Sequence, residues 1–241
     1  MTRAALAAVS LLTIIPLRST SSAPPREGTL AFFPLVGLLV GGATAVLDAL
    51  LGSVLPITVV SAFDLAALAL ISGGLHLDGL ADTADGFAAG PASAQRLAAM
   101  RDSRVGALGA SALVPVLLVQ WSALSSVATG RAAIIVSAAI LARWAMVAAI
   151  AAHPPARQDG LGVVASRSAR MRDVIFASIA AALIVGILVP APAAALALAL
   201  GTAALVGGAA TRAFGGLTGD VYGAIGELVV ALELTLGART T

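Results

Sequence analysis

The feature that most constrains this chain is a series of long apolar segments with almost no charged side chains. Three are free of Asp, Glu, Lys and Arg, and two contain one charged residue each; in chain order they are residues 28–47, 54–75, 105–130, 132–152 and 174–211. A helix needs about 20 apolar residues to cross the hydrocarbon layer of a bilayer, which is roughly 30 Å thick. The segments therefore predict a protein that crosses a membrane several times.

Composition supports this interpretation and excludes other classes of protein. Only 11% of the 241 residues are charged and 59% are apolar, whereas a soluble domain carries roughly 25% charged residues. The absence of cysteine excludes a disulfide scaffold, and the apolar content excludes a disordered chain. The net charge is +2, and all of its cations are arginine, so we expect the lipid bilayer as a partner and no nucleic acid.

The spacing of the segments predicts an all-α helical bundle with six membrane spans in a single domain, residues 1–241. The segment at 174–211 is long enough to cross twice, and Pro190 and Pro192 mark the turn between its two crossings. Residues 4–17 and 223–236 are short apolar ends. Each is compatible with a tilted span, a re-entrant piece or an interfacial helix. Assembly with further copies of the chain is also compatible with the sequence.

The arginines predict the orientation in the membrane, because loops kept in the cytoplasm carry an excess of positive charge. Four connections on the same side of the predicted bundle hold ten of the 14 cations: Arg18, Arg26, Arg96, Arg101, Arg104, Arg157, Arg167, Arg170, Arg172 and Arg212. The other side receives Arg131 and, if both ends cross, Arg3 and Arg239. We therefore expect a multi-pass protein of the cell (inner) membrane with its polar chemistry at the cytoplasmic face.

The most informative stretch is GGLHLDGLADTADG at residues 73–86. Asp78, Asp82 and Asp85 are spaced i, i+4 and i+7, so they share one face of a helix. Carboxylates stacked this closely repel one another unless a cation neutralises them. Ligands that are all oxygen favour a hard divalent ion, Mg²⁺ first and Mn²⁺ second. The alternative is a solvated helix end whose acids pair with nearby arginines.

A second stretch, MRDSRVGALG at residues 100–109, adds the groups needed for phosphate chemistry. Asp102 is a fourth carboxylate, and Arg101 and Arg104 are cations suited to phosphate oxygens. A divalent metal facing arginines is the equipment of phosphoryl transfer. His76 has two interpretations, a phosphate ligand or proton relay and a hydrogen-bonded residue at a helix end.

Two isolated charges within predicted spans support a structural prediction. Asp64 and Arg143 lie at similar depths in spans that run the same way. A single charge in the membrane is costly, and pairing offsets the cost. We therefore expect Asp64 and Arg143 to meet across the bundle; water-filled cavities around the two charges are the alternative.

At its motifs the sequence resembles the cobalamin synthase family, the adenosylcobinamide-GDP ribazoletransferases. The resemblance covers nearly the whole chain and rests on the following segments: LLTIIPL (11–17), FFPLVGLLVG (32–41), GGLHLDGLADTADG (73–86), RDSRVGALG (101–109), ARQDGLG (156–162) and GGLTGDVYGA (215–224). The family commonly has Lys at Arg101 and Ile at Val105, and residues 153–155 match less well.

This resemblance implies a reaction. The 3′-hydroxyl of α-ribazole, or of its 5′-phosphate, attacks the cobinamide-side phosphorus of adenosylcobinamide-GDP, which releases GMP and forms adenosylcobalamin or its 5′-phosphate. Mg²⁺ is the implied cofactor. The implied metal ligands are Asp78, Asp82, Asp85 and Asp102, and the implied catalytic residues are His76, Asp82, Asp102 and Arg104.

The later polar loops supply candidate substrate-binding residues. Arg101 is expected to neutralise phosphate, and Arg157 and Asp159 to contact the nucleotide loop or the corrin side chains. Asp220 has three interpretations: an additional metal ligand, a group that positions the attacking hydroxyl, and an N-cap of the last helix.

Two rival functions remain on sequence grounds, while a third is excluded. A CDP-alcohol phosphotransferase also places Asp and a metal at helix ends, but its usual pattern has Ala-Arg where this chain has Ala81 followed by Asp82. A cation-coupled transporter is the alternative that is not an enzyme. A soluble prenyl-diphosphate enzyme also spaces Asp along a helix, but the apolar segments exclude it.

Overall fold

The computed structural model describes residues 2–16 and 27–240, and in this part of the chain the fold is all-α, without strands. The helices are α1 (Thr2–Leu12), α2 (Phe33–Leu51), α3 (Ile57–Ile71), α4 (Leu75–Ala88), α5 (Ser93–Ala99), α6 (Ala107–Ser126), α7 (Arg131–Ala152), α8 (Leu161–Ser168), α9 (Met171–Leu188), α10 (Pro192–Phe214) and α11 (Gly219–Thr240). A 3₁₀ turn, Leu30–Phe32, precedes α2. The prediction of an all-α membrane bundle is confirmed.

Six of the described helices are long and apolar enough to cross a membrane: α2 with its preceding turn, α6, α7, α9, α10 and α11. The number equals the prediction, but one member differs. Residues 223–236, expected to be a short end, belong to the 22-residue helix α11. Residues 54–75, expected to be one span, break into α3 and α4. The chain is therefore a multi-pass membrane protein.

The break between α3 and α4 turns the chain by 85°. Gly73 and Gly74 have φ angles of 66° and 70°, in the left-handed region that glycine adopts without strain. Two consecutive residues of this conformation end a helix, so the apolar segment cannot continue straight. The acidic stretch that follows begins a new helix, α4, with its own direction.

Helix α1 is too short to cross the bilayer. Its 11 residues span about 16 Å at 1.5 Å per residue, roughly half of the hydrocarbon thickness. Just after it, the Ile14 N–H donates to the Ile71 carbonyl at the end of α3, over 2.9 Å. The described part of the first apolar end therefore packs on the bundle as a short helix, and Leu17, at the end of the predicted segment, lies outside the described residues.

Helix α7 is the central helix of the bundle, with most of its residues buried. It packs against α2, α9, α10 and α11, which surround it. Its buried side chains include bulky residues, such as Ile135 and Leu141, and alanines such as Ala138. Small residues let neighbouring helices approach closely, which is how helices associate in lipid.

The predicted pair of Asp64 and Arg143 is wrong. The Asp64 carboxylate accepts a hydrogen bond from Arg131 Nη2 at 2.9 Å, and the same nitrogen contacts Asp48 Oδ1 at 2.6 Å. Arg143 instead lines a small cavity with Glu227. The prediction assumed straight spans of equal pitch and left Arg131 in a loop, whereas Arg131 is the first residue of α7 and its side chain is buried.

One end of the bundle, which we call the polar end, is built by the short helices and connections. The Ser93 hydroxyl at the start of α5 donates to the Phe214 carbonyl at the end of α10, over 2.8 Å. The Leu217 N–H donates to the Pro154 carbonyl at 2.8 Å, which ties the connection after α7 to the start of α11. The polar end holds the sequence motifs discussed next.

Candidate functional site

The contact between α4 and α11 forms the centre of the site. Gly79 lies directly against the backbone of Asp220, and a Cβ added at Gly79 would be 2.6 Å from the Asp220 carbonyl oxygen. Only glycine permits this approach of the two helices. The contact brings the acids of α4 beside Asp220 in the first turn of α11.

Asp82 is the most crowded acid of this cluster. It is partly buried, and the charges of Asp78, Asp220 and Asp85 all act on it. Asp78, one turn earlier on α4, is exposed. Because like charges raise the free energy of the ionised state, this arrangement favours the binding of a cation. The structure thus places Asp220 within electrostatic range of Asp78 and Asp82.

Asp220 is held by two neighbours. The Thr218 hydroxyl donates to its Oδ2 at 3.1 Å, and Arg157 Nη1 lies 3.8 Å from the same oxygen. Of the three interpretations of Asp220, the N-cap is contradicted, because the Thr218 hydroxyl accepts the Val221 N–H at 3.4 Å in that role. Asp220 and Arg157, predicted on separate loops, are brought together.

Asp85 has a different contact from the metal coordination expected for it. Its Oδ2 accepts the Gly106 N–H at 2.7 Å and its Oδ1 accepts the Gly109 N–H at 2.8 Å. The carboxylate therefore sits at the N-terminus of α6, where unpaired backbone N–H groups and the helix dipole favour negative charge. Spacing places Asp85 on the same face as Asp82, but the neighbouring helix occupies that part of the face.

Asp102 and Arg104 pair with each other on the exposed connection between α5 and α6. Arg104 Nη2 and Nε donate to the two Asp102 oxygens at 2.7 and 3.0 Å, and its backbone N–H donates as well. These hydrogen bonds lower the pKa of Asp102 to about 2 and raise that of Arg104. Asp102 therefore stays ionised at neutral pH and directs both oxygens to Arg104 rather than to the acids of α4.

Arg101 and Asp159, both predicted to bind substrate, form an exposed pair. Arg101 Nη2 donates to the two Asp159 oxygens at 3.0 and 3.2 Å. Nearby, Arg157 Nη2 donates to the Leu97 carbonyl at 3.0 Å. The two connections, although far apart in sequence, are thus joined above the site. Exposed pairs of this kind contribute little to stability, so they are open to exchange for a ligand.

His76 lies in the first turn of α4 and is buried. Among the residues that the structure describes, its Nε2 has no hydrogen-bond partner, which differs from the interpretation as a bonded helix-end residue. The side chain lines a cavity of about 270 Å³ that also borders Arg157, Asp159 and Asp220. The cavity therefore joins the acidic cluster, and four of the predicted site residues face it.

Within residues 2–16 and 27–240, no three acidic or histidine side chains are close enough together to hold a metal ion as they stand. The oxygen chemistry of Asp78, Asp82 and Asp220 nevertheless suits a hard divalent cation. Asp85 is already bonded to backbone N–H groups, and Asp102 to Arg104. The donor set that fits a metal is therefore smaller than the predicted quartet of acids and includes Asp220.

Sequence reasoning missed two features of the site. Thr218 precedes the first residue of α11, and a Thr at that position is an N-cap signal. The second feature is the contact of Asp85 with Gly106 and Gly109, which follow it by 21 and 24 residues. Nothing in the sequence indicates that Asp85 and these glycines are close in space. Such a contact depends on tertiary packing.

Comparisons with known proteins identify the family. A family model described as cobalamin-5-phosphate synthase matches residues 4–238. This chain belongs to that family.

Its relatives include two proteins named adenosylcobinamide-GDP ribazoletransferase. The protein of Roseiflexus sp. (strain RS-1) is 38% identical, over 96% of this chain and 88% of its own length. The protein of Geotalea daltonii (strain DSM 22248 / JCM 15807 / FRC-32) is 36% identical, over 95% of this chain and 94% of its own length. No solved structure matches the chain. The family resemblance read from the motifs is confirmed.

Proposed function

We propose that this protein catalyses the reaction for which its relatives are named. It transfers the adenosylcobinamide-phosphate part of adenosylcobinamide-GDP to α-ribazole, or to α-ribazole 5′-phosphate, and releases GMP. The product is adenosylcobalamin or its 5′-phosphate, so the reaction belongs to the last steps of cobalamin synthesis. Membership of the cobalamin-5-phosphate synthase family supports this function.

The observation that carries the chemistry is the contact of α4 with α11, which sets Asp220 near the acids of α4 and, with Arg157, at the wall of one cavity. In the transfer, the acceptor hydroxyl oxygen forms a bond to the cobinamide-side phosphorus, and the bond from that phosphorus to the GMP oxygen breaks. Asp220 accepts the hydrogen bond of the attacking hydroxyl, orients its oxygen and takes its proton as the new bond forms. Arg157 stabilises the charge that develops on the phosphate oxygens.

We assign the metal to two of the four acids implied by the resemblance, together with Asp220. Asp78, Asp82 and Asp220 would hold Mg²⁺, which supplies neutralisation of the negative charge on the diphosphate. Support comes from the repulsion among these carboxylates and from their purely oxygen chemistry. Asp85 and Asp102 are assigned to the N-terminus of α6 and to Arg104 respectively.

Arg101 and Arg104 are proposed to bind the departing GMP. Both are exposed and lie on the connection that leads from α5 to α6, and each is paired with a single carboxylate in the protein alone. A guanidinium in an exposed pair exchanges its partner for a phosphate at little cost, and phosphate accepts the same forked geometry.

We also propose that the polar end faces the cytoplasm across the cell (inner) membrane. The excess of arginines in its connections supports this orientation. The nucleotide substrates are soluble and highly charged, so a site at the cytoplasmic face meets them without transport. An extracellular label that reacts with a cysteine placed at Asp159 in intact cells would contradict the orientation.

The function is tested with purified protein in detergent or liposomes, given adenosylcobinamide-GDP, α-ribazole and Mg²⁺. We expect release of GMP that depends on both substrates and stops with EDTA. Asp82→Asn is expected to lower turnover about 10²–10³-fold, the usual cost of removing one charge-stabilising group. Glu27→Gln is the matched control, since Glu27 pairs with Arg170 and Arg172 away from the cavity. Wild-type turnover by Asp82→Asn would contradict the site.

A further inference from the structure

The cavity beside the acidic cluster has a partly exposed polar lining and a buried apolar lining. Arg157 and Asp220 are partly buried, whereas Leu12, Phe33 and Ile150 are buried. Helix α8 covers it, with Ala165 facing inward and 4% exposed. The cavity measures about 270 Å³, slightly below the roughly 300–1,000 Å³ of sites for drug-sized ligands. It therefore has room for one small aromatic group with a sugar, and none for a corrin ring.

Three buried polar atoms of this lining have no hydrogen-bond partner among the described residues. They are Nε2 of His76, the hydroxyl oxygen of Tyr222 and Nε of Arg157. A buried polar group without a partner is unfavourable, so such groups in a cavity point to a ligand that completes them. The three atoms provide few hydrogen bonds, while most of the surrounding surface is apolar.

We infer that this cavity binds the acceptor nucleoside, with its aromatic base against Leu12, Phe33 and Ile150 and its ribose toward Asp220. The assignment rests on the proposed function, which supplies the identity of the acceptor. The base of α-ribazole is a benzimidazole with two methyl groups and one unsubstituted ring nitrogen. His76 Nε2–H donates to that nitrogen, and the methyl groups fill the apolar interior.

The chemistry of the lining favours this base over the guanine of the donor substrate. Guanine presents a carbonyl, a ring N–H, an amino group and a further ring nitrogen, all of which need partners when buried. Arg157 and Asp220 lie 3.8 Å apart and Asp159 is paired with Arg101, so only the unpartnered atoms of His76, Tyr222 and Arg157 remain, and they are too few to satisfy them. The benzimidazole needs one hydrogen bond, so it is the base whose polar atoms this cavity satisfies.

The first test uses the wild-type protein and measures binding without turnover. Equilibrium dialysis in EDTA is carried out with α-ribazole, with the ribosylbenzimidazole that lacks both methyl groups, and with GMP. We expect α-ribazole to bind, the loss of the two methyl groups to weaken binding about ten-fold, and GMP not to displace it. Equal binding of the two nucleosides, displacement by GMP, or no binding of α-ribazole would overturn the assignment.

The second test fills the cavity. Ala165→Leu places a larger side chain in it, and Ala133→Leu does the same in a separate cavity near the start of α7 as the matched control. We expect Ala165→Leu to weaken α-ribazole binding at least ten-fold and raise KM for α-ribazole, with KM for the donor unchanged. Ala133→Leu is expected to behave as wild type.

These outcomes separate the assignment from the proposed function. A folded Ala165→Leu protein that binds α-ribazole as tightly as wild type, or in which only KM for the donor rises, contradicts the assignment while GMP release by wild type still supports the function. If wild-type protein releases no GMP with both substrates and Mg²⁺ present, the function itself fails.

Discussion

Asp85 offers the clearest separation between a structural and a metal-binding acid. Its two oxygens accept the N–H groups of Gly106 and Gly109 at 2.7 and 2.8 Å. In Asp85→Asn the amide retains one acceptor, so one hydrogen bond to a charged group is lost, together with the attraction between the charge and the α6 N-terminus. Such a hydrogen bond contributes about 1.5–3 kcal/mol and the attraction about 0.3–1 kcal/mol. We expect the free energy of unfolding to fall by about 2–4 kcal/mol.

The dependence on Mg²⁺ is expected to respond differently. Because Asp85 directs its oxygens to backbone N–H groups, the Mg²⁺ concentration for half-maximal GMP release should stay within about two-fold of wild type. Asp82→Asn is expected to show the opposite pattern. The loss of a repelling charge leaves the free energy of unfolding unchanged or higher, while the Mg²⁺ concentration for half-maximal GMP release rises about ten-fold or more. Both variants are measured by denaturant unfolding followed by circular dichroism and by initial rates across a Mg²⁺ series.

The result that would refute this reasoning is an Asp85→Asn protein of wild-type stability with a Mg²⁺ requirement raised as far as that of Asp82→Asn. It would mean that Asp85 leaves α6 to bind the metal. Asp85 would then count again as one of the metal ligands, as the sequence predicted.

Three further predictions test the packing and the exposed pairs. Gly79→Ala should lower the free energy of unfolding by about 1–3 kcal/mol and also lower turnover, because the added Cβ meets the backbone of Asp220. The control in the same unfolding and rate assays is Gly201→Ala, where the added Cβ meets open space. Arg131→Met should cost about 3–5 kcal/mol in unfolding experiments, since it leaves two acids without their cation. Arg101→Met should change stability by less than about 1 kcal/mol but raise KM for the GDP substrate; an unchanged KM would contradict its role.

Much of the fold could be predicted from the sequence, because the bilayer imposes a length and an apolar composition on every crossing. The turn at Pro190 lies between α9 and α10 as expected. The break at Gly73 was missed, since hydropathy does not register backbone direction. The pairing of Arg131 with Asp64 was also missed. The prediction compared the depths of charged residues along their spans, and such a comparison does not include how far a long side chain reaches from the end of a helix.

The candidate site likewise has a part that could be predicted from the sequence and a part that could not. Helical spacing identified Asp78 and Asp82 as neighbours, and the structure places them beside each other on α4. Asp220 lies beside these acids because α4 and α11 are in close contact at Gly79. The cavity forms because α1 and α8 fold over it. These are contacts between segments distant in the chain, which periodicity within one segment does not determine.

The three acids of α4 share a face, but the bundle divides that face among different neighbours. Asp85, at its far end, meets the backbone of α6; Gly79, beside the first acid, meets α11 and brings Asp220 with it. Within the described part of the chain, the two acids of α4 whose carboxylates accept no backbone hydrogen bond are Asp78 and Asp82. A metal that binds here is therefore held between two helices rather than by one. Its affinity should depend on the distance between α4 and α11 as much as on the count of carboxylates, so Gly79→Ala should raise the Mg²⁺ requirement although it removes no ligand.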